Sequence, residues 1–304
     1  MIGVLKLKEV ILGSHNQLIL LDFNFKFISI YMISEFLTQQ DISKQVIDKD
    51  NWGAYVVIDD FLKQSYFDNL CSEYNKLKSD ESIFTQENFG NVWRQDEENG
   101  KVSLIGSTGE KLTGFDKITQ KSPVWDDFLS VIYSQSSKSF FLDLFSQTTA
   151  FQKYVSEDDK INGEIGCKLS SQTNNYGDRI HQDTTTKVLS FLLYLEKDNW
   201  NEDSQGGTDL WEVTDKRADY DETFNSMDDQ LRAGRHSPKS HSLSYEESFK
   251  IKKFRTVDFK PNRLLGFIRT ENSYHSVNPR ILPENTTRDC FQINLWNFNK
   301  KSKY

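Results

Sequence analysis

The sequence predicts an α+β fold, because helix patterns fill the first half of the chain and strand patterns fill the second half. From Phe67 to Leu77, apolar residues recur at spacings of three and four, which is typical of one face of a helix. The pair Asp59–Asp60 is a candidate for its cap, and Ser122 before Pro123 is a second helix start signal. The runs that predict strands are Tyr55 to Ile58, Gly163 to Leu169, Val188 to Leu195, Thr208 to Val213, Thr256 to Phe259, Arg263 to Arg269 and Arg288 to Phe298.

Composition excludes several classes of protein. The 304 residues include 45 acidic and 37 basic side chains, and the formal net charge of -8 argues against general binding of nucleic acids. With 22 Phe, 12 Tyr and 6 Trp, the chain has enough aromatic bulk for one large core or two smaller ones, which excludes disorder throughout.

Neither a membrane span nor a disulfide framework is indicated. No apolar run reaches the roughly 18 residues that a spanning helix needs. The cysteines Cys71, Cys167 and Cys290 lie far apart, without the paired spacing of a zinc site or of a disulfide-rich secreted domain. We therefore expect a protein of the reducing cytoplasm that has no membrane partner.

The N-terminal segment is treated as an extension, residues 1–50, before a single domain at 51–300. Residues 1–31 lack the features of a signal peptide. Two interpretations stay open for them. Translation begins at Met32 and these residues are not made, or they form a short hairpin or helix that packs on the core. Within the domain, helical support is expected over 51–150 and a strand-rich core over 160–300.

A polar insert at residues 215–255 interrupts the strand-rich half of the domain. Its first part, Asp215 to Asp229, is acidic, and its second part, Arg232 to Arg255, is basic. This pattern fits a solvated loop, and it also fits a lid or an element that docks a partner. The sequence leaves these alternatives open.

The candidate chemistry begins with two histidines. In an extended segment, His181 and Asp183 leave the same face, so that an imidazole and a carboxylate point one way. A second imidazole, His275, follows the apolar strand of residues 264–268. Two imidazoles and one carboxylate on one side of a metal form the facial triad of non-haem Fe(II) oxygenases. The spacing therefore suggests an iron site, provided that folding brings His275 to the other two residues.

A polar face on the last predicted strand adds a second candidate. Alternation from Arg288 sends Arg288, Cys290, Gln292 and Asn294 to one side of the strand. A guanidinium matches a carboxylate with two parallel hydrogen bonds, so an inward Arg288 is suited to hold a dicarboxylic acid. The alternative is an arginine at the surface end of a strand.

Several blocks resemble, in the same order, the 2-oxoglutarate and Fe(II)-dependent oxygenases of the prolyl-4-hydroxylase-like branch, from about Asn51 to Asn297. The blocks that carry this resemblance are Tyr55 to Leu62, Tyr176 to Asp183, Phe191 to Leu195, Trp200, Gly206 to Thr208, Lys260 to Phe267 and Ser273 to Val277. The fold that the resemblance implies is a double-stranded β-helix, or jelly roll, braced by N-terminal helices.

The resemblance also implies roles for single residues. It places iron ligation on His181, Asp183 and His275, and it places the distal carboxylate of 2-oxoglutarate on Arg288, with Arg280 as the competing candidate. Tyr176 lies where related enzymes often have a residue near the cosubstrate, and a buried aromatic is the other interpretation. The implied cofactors are Fe(II), 2-oxoglutarate and O2, with ascorbate as a further candidate. Asp183 argues against a halogenase, because halogenases replace this carboxylate with a halide.

These features lead to an expected function and one alternative. We expect a dioxygenase that hydroxylates a protein or peptide side chain, as prolyl hydroxylases do, or a small metabolite, with release of succinate and CO2. The alternative is a catalytically inactive jelly-roll module that binds or adapts a partner through the charged insert. The sequence predicts neither the substrate nor the oligomeric state.

Overall fold

The computed structural model describes most of the residues on which the sequence-based predictions depend. The described residues are 45–78, 80, 101–105, 115–157, 163–172, 178–183, 187–195, 207–213, 251–277 and 287–297. The predictions for residues 1–31 and for most of the insert lie outside them. None of the helices in the described part is long and apolar enough to cross a membrane.

The described chain begins with a β-hairpin and a helix. Strand β1 (Ile47–Lys49) pairs with β2 (Gly53–Ile58), and α1 (Gln64–Lys78) follows. The apolar face predicted for α1 is confirmed, since Phe67, Leu70, Cys71, Tyr74 and Leu77 are its buried residues. The predicted capping role of Asp59 is wrong, because α1 begins at Gln64 and Asp59 forms an ion pair with Arg263.

Four further helices follow, and two of their starts show how the chain satisfies helix ends. They are α2 (Asp116–Lys121), α3 (Pro123–Ile132), α4 (Gln135–Phe145) and α5 (Thr149–Glu157). Ser122 caps α3 as predicted, because its side chain accepts a hydrogen bond from the Trp125 N–H. At α5, Thr148 Oγ1 accepts a hydrogen bond of 3.2 Å from the Phe151 N–H, and the distant residue Asp48 accepts one of 2.7 Å from the Thr149 N–H.

The larger sheet has seven antiparallel strands in the order β1-β2-β9-β6-β11-β4-β3. Its remaining members are β3 (Lys101–Ile105), β4 (Gly163–Gln172), β6 (Lys187–Tyr194), β9 (Leu264–Ile268) and β11 (Arg288–Asn297). The apolar strands β6 and β9 lie in the interior of this sheet, where both of their faces are covered.

The smaller sheet has four antiparallel strands in the order β5-β10-β7-β8. They are β5 (Asp178–His181), β7 (Thr208–Val213), β8 (Ile251–Val257) and β10 (Tyr274–Val277). Strand β8 starts at Ile251, five residues before the predicted start, so the end of the predicted insert is part of this sheet.

Two hydrophobic cores lie on opposite faces of the larger sheet. On one face, helix residues pack against strand residues, as in the contact between the Phe141 and Phe191 rings, whose centroids are 4.5 Å apart. Gly266 on β9 makes this packing possible, because a Cβ atom there would overlap the Phe191 ring. On the other face, Tyr194 and Phe267 pack with Leu210 of the smaller sheet. We call this second core, between the two sheets, the inner core, and the strand faces that line it the inner faces.

The architecture is therefore a layer of helices, a seven-stranded sheet and a four-stranded sheet. This confirms the predicted combination of helices and strands, and the structure shows that the strands of both sheets are antiparallel. The double-stranded β-helix, which is a finer description of the same strands, stays a prediction.

Candidate metal centre

The three predicted ligands lie together. His181 ends β5 and His275 lies in β10, and these two residues are direct partners in the antiparallel pair. Their ring centroids are 4.3 Å apart. With Asp183 they offer three ligand atoms that lie within 4.8 Å of one another, and no other such group of three was found among the described residues.

Asp183 reaches the cluster from a different backbone position than the sequence predicted. Strand β5 ends at His181, so Asp183 lies just beyond the extended segment. Its carboxylate is held from β6, because Lys187 Nζ lies 2.6 Å from Oδ1 and Ser190 Oγ donates a 2.5 Å hydrogen bond to Oδ2. Arg269 Nε donates to the Asp183 carbonyl oxygen at 3.2 Å. Two side chains of β6, in the larger sheet, therefore fix the carboxylate.

The charge of Asp183 follows from these neighbours. Burial by itself raises the pKa of this carboxyl group. Electrostatic interactions with Lys187, His275 and His181 outweigh burial and hold the pKa of Asp183 well below its usual range. The group is therefore a carboxylate at neutral pH, which is the form that binds a metal.

His275 is a neutral imidazole with one nitrogen available. Burial and the neighbouring His181 lower the pKa of His275 to about 4. Its Nδ1 lies 3.2 Å from the carbonyl oxygen of Ser273, and a carbonyl can only accept, so Nδ1 carries the proton. The lone pair on Nε2 is then free to bind a metal, an arrangement that is usual for metal-ligating histidines.

Arg288 is buried on the inner face of β11. It is the first residue of that strand and is 3% exposed. Its guanidinium carbon lies 5.3 Å from the centre of the Tyr194 ring and 5.5 Å from that of Phe259. This is not the surface position that the alternative interpretation required.

Sequence reasoning missed the aromatic surroundings of Arg288. The Tyr194 and Phe259 rings stack with centroids 4.7 Å apart, and the Tyr194 hydroxyl lies 2.8 Å from Thr208 Oγ1. One signal was available, because Tyr194 is the only residue with a polar group in the run from Phe191 to Leu195. A buried tyrosine hydroxyl needs a partner, which here is a threonine of the smaller sheet.

The rest of the polar face of β11 follows the predicted alternation. Cys290 belongs to the inner core, whereas Phe291 and Ile293 belong to the core beneath the helices. Asn294 pairs directly with Ser190, so both side chains leave the same face beside Asp183. Asn294 is 6% exposed. This polar edge borders the metal cluster.

Two predicted residues cannot be placed. Tyr176 and Arg280 both lie outside the described residues, so neither the predicted role of Tyr176 nor the competition between Arg280 and Arg288 is tested.

The donor set fits the metal that the sequence suggested. Two imidazoles and one carboxylate would hold an ion from the three residues of this cluster and would leave positions open for other ligands. Fe(II) accepts imidazole and carboxylate ligands in this arrangement. Phe267, whose ring centroid lies 4.7 Å from that of His275, gives the cluster an apolar wall.

Solved structures with a similar fold were found by comparison. A prolyl-4-hydroxylase from Pseudomonas putida is 12% identical with a TM-score of 0.47, and the match covers 84% of this chain and 98% of that chain. For prolyl 4-hydroxylases from Phytophthora capsici, the identity is 14%, the TM-score is 0.48, and the coverage is 91% of this chain and 66% of that chain.

A third similar structure is a prolyl hydroxylase from Trichoplax adhaerens in complex with a peptide fragment of hypoxia inducible factor. It is 14% identical with a TM-score of 0.43, and the match covers 91% of this chain and 92% of that chain. No protein-family model and no curated protein matches the chain. The structural neighbours are thus prolyl-4-hydroxylases and 2OG-Fe(II) oxygenases, the group that the sequence motifs resemble.

Proposed function

We propose that the protein is an Fe(II)- and 2-oxoglutarate-dependent dioxygenase. Its reaction would hydroxylate a protein or peptide side chain, as prolyl hydroxylases do, or a small metabolite. The observation that carries the proposal is a buried arginine on the same inner surface as a His-Asp-His cluster. The predicted double-stranded β-helix belongs to this proposal as its fold.

The inner core lies between Arg288 and the His-Asp-His cluster and contacts both of them. Arg288 stacks on Tyr194, and His275 contacts Phe267. Tyr194 and Phe267 belong to one core between the two sheets. A dicarboxylic acid that binds the metal with its oxo-acid end can therefore direct its other carboxylate toward Arg288.

Each residue has a defined task in this proposal. His181, Asp183 and His275 would hold Fe(II), and Arg288 would pair with the distal carboxylate of 2-oxoglutarate. With 2-oxoglutarate and O2, the metal supplies the oxidation, in which one oxygen atom enters a substrate C–H bond and the other enters succinate, with release of CO2. The aromatic residues of the core between the two sheets would keep water from the site and so limit side reactions.

The buried state of the guanidinium favours a carboxylate ligand. A buried cation is stabilised when it binds an anion, and a guanidinium does this with two hydrogen bonds. The aromatic rings around Arg288 hold its plane by cation–π contact without neutralising its charge.

The proposed location is the cytoplasm. All three cysteines are buried free thiols, which fits a reducing compartment.

The first experiment needs no substrate. Fe(II) and then 2-oxoglutarate are added to the purified protein without oxygen, and the visible charge-transfer band of the iron–oxo-acid complex is recorded. We expect the band in the wild type, its loss in His181→Ala, and a requirement for much more 2-oxoglutarate in Arg288→Met. Arg263→Met is the matched control, because Arg263 binds Asp59 at the surface and should leave the band unchanged.

The absence of a band in folded wild-type protein would refute the proposed function and favour a binding module. If the band is present, the substrate is sought next. Proline-containing peptides and small acids are each incubated with the enzyme, 2-oxoglutarate and air. A substrate gains one oxygen atom by mass spectrometry, with an equal amount of succinate.

A further inference from the structure

Directly behind Arg288, on the opposite face of β11, lies a charged cluster that we call the β11 clamp, formed by Lys78, Ser171, Thr287 and Asp289. Lys78 Nζ lies 3.0 Å from Asp289 Oδ2 and donates to Thr287 Oγ1 at 2.9 Å. The other carboxylate oxygen of Asp289 accepts hydrogen bonds from Ser171 Oγ at 2.6 Å and from Thr287 Oγ1 at 2.9 Å. The clamp therefore joins α1, β4 and both neighbours of Arg288.

The position of Asp289 is costly for a charged residue. Its side chain is 0% exposed, while that of Lys78 is 25% exposed. Along the same face of β11, Phe291, Ile293 and Leu295 all belong to the apolar core beneath the helices. Replacing a buried ion pair with apolar residues often leaves a protein equally or more stable, so stability alone gives no reason for this carboxylate.

The clamp lies where β11 needs support. On the β4 side, Arg288 is the last pair of the ladder, opposite Gln172. On the β6 side, the paired residues begin at Cys290, opposite Tyr194, and one further backbone hydrogen bond joins the Leu195 N–H to the Asp289 carbonyl oxygen. Strand ends open more readily than strand centres, and an arginine that binds a carboxylate must be held to within about 0.5 Å. The two residues that the clamp holds are those before and after Arg288.

We propose that the β11 clamp is a positioning device for Arg288, and that Lys78 and Asp289 thereby set the affinity for the distal carboxylate of the 2-oxo acid. This inference rests on the proposed function. Lys78 also neutralises Asp289, so that this carboxylate does not lower the affinity of Arg288 for an incoming anion.

The test separates positioning from stability. In the double variant Lys78→Met with Asp289→Leu, the buried pair is replaced by apolar side chains, and the partly exposed hydroxyls of Ser171 and Thr287 can bond to water instead. The protein should therefore fold with a stability close to that of the wild type. We expect its affinity for 2-oxoglutarate, measured by titration of the charge-transfer band without oxygen, to fall about 10- to 100-fold, as for other supporting contacts of a site. Its affinity for Co(II), used here in place of Fe(II), should not change, because the clamp does not include the residues of the metal centre.

A second ligand identifies the carboxylate that is affected. The probe 2-oxobutyrate keeps the oxo-acid end of 2-oxoglutarate and lacks the distal carboxylate. We expect the double variant and the wild type to bind 2-oxobutyrate equally, because Arg288 does not contact it. The conservative variant Lys78→Arg, which keeps the charge, should bind 2-oxoglutarate almost as the wild type does.

Lys121→Met is the control, since it removes an ion pair with Asp80 that does not involve β11. Equal affinity of the double variant and the wild type for 2-oxoglutarate would overturn the inference, as would an equal loss for both ligands. A wild type without the band would instead refute the proposed function, so the two failures can be distinguished.

Discussion

Ser190 is one of two β6 residues through which the larger sheet holds Asp183 of the His-Asp-His cluster. It is 2% exposed, and its hydroxyl donates to the Asp183 carboxylate. We expect Ser190→Ala to weaken Co(II) binding by about 10-fold, because supporting hydrogen bonds orient a ligand before the metal arrives. Ser190→Thr, which keeps the hydroxyl, should bind nearly as the wild type does. The measurement is a Co(II) titration followed by absorbance.

The matched control is Ser170→Ala. Ser170 is also a buried strand serine, but its hydroxyl donates to the Cys290 carbonyl oxygen rather than to a ligand. An equal loss of affinity in both alanine variants would contradict a specific role for Ser190.

The residues of the cluster differ in how far the sequence predicts them. His181 and Asp183 are two positions apart, so a local pattern is enough to suggest them. Ser190 and Lys187 have no such signal, because their role depends on where β6 lies relative to Asp183 in the folded chain. The register that places Asn294 beside Ser190 also appears only in the folded chain.

At the scale of elements, Asn262 joins the segment between β8 and β9 to the start of α1. Its φ angle is 60° and its residue exposure is 1%. Its side chain accepts from the Leu62 N–H at 2.9 Å and donates to the Leu62 carbonyl oxygen at 2.8 Å. We expect Asn262→Ala to lower the free energy of unfolding by about 3 kcal/mol, since it leaves a buried N–H and C=O without partners and strains the backbone.

Asn51→Ala is the control for the backbone component. Asn51 also has a positive φ angle, of 62°, but it is exposed. Urea unfolding of both variants should show the larger loss at Asn262. Similar losses would mean that the φ angle, and not the pair of hydrogen bonds, determines the cost.

Asp59 and Arg263 connect the end of β2 to the start of β9, and they predict a pH dependence. Arg263 Nε and Nη2 donate to the two carboxylate oxygens at 2.5 and 3.0 Å. Hydrogen bonding from Arg263 lowers the pKa of Asp59, against the effect of burial. In the unfolded chain the carboxyl group of Asp59 has a pKa of about 3.9. As the pH falls, it is therefore protonated in the unfolded chain before it is protonated in the folded protein. The stabilisation is therefore present above that pH and is lost as the pH falls toward the folded pKa.

We expect Arg263→Met to destabilise the protein by about 0.5 kcal/mol at pH 7, since the pair is partly solvated, and by less at pH 3. Urea midpoints at both pH values measure this difference. Lys153→Met removes a long, exposed ion pair with Glu271 and should show neither effect. A loss in Arg263→Met that is the same at both pH values would contradict the assignment to Asp59.

Long elements and strongly apolar strands such as β2 and β9 are predicted from the sequence, whereas short polar strands are not. Helix α1 and strand β11 have enough periodic residues to be recognised. Strands β5 and β10 have four residues each, and they are partly polar because they carry the histidines. Their pairing with each other comes from the sheet as a whole. The start of β8 was also not predicted. Its charged residues Lys252 and Lys253 are typical of a strand at the edge of a sheet, and they made this part of the strand resemble the polar insert.

At the scale of the molecule, the larger sheet separates two kinds of interior. The side toward the helices is a continuous apolar core, and the Lys78–Asp289 pair is a charged exception within it. The side toward the smaller sheet is also apolar, yet it contains Arg288 and the His-Asp-His cluster. Composition predicted enough apolar residues for two cores, but only the alternation along β6 and β11 assigns each residue to one of them.

A bound metal should stabilise the whole molecule, because its ligands come from both sides of the inner core. His181 and His275 belong to the smaller sheet, and Asp183 is held by Ser190 and Lys187 of the larger sheet. Co(II) at 100 times its Kd should raise the free energy of unfolding by about 2.7 kcal/mol. Thermal or urea unfolding with Co(II), and after its removal with EDTA, measures this gain, and His275→Ala should abolish it. A gain of equal size in His275→Ala would show that the metal stabilises the protein at another site and would contradict the assignment of this cluster as the metal centre.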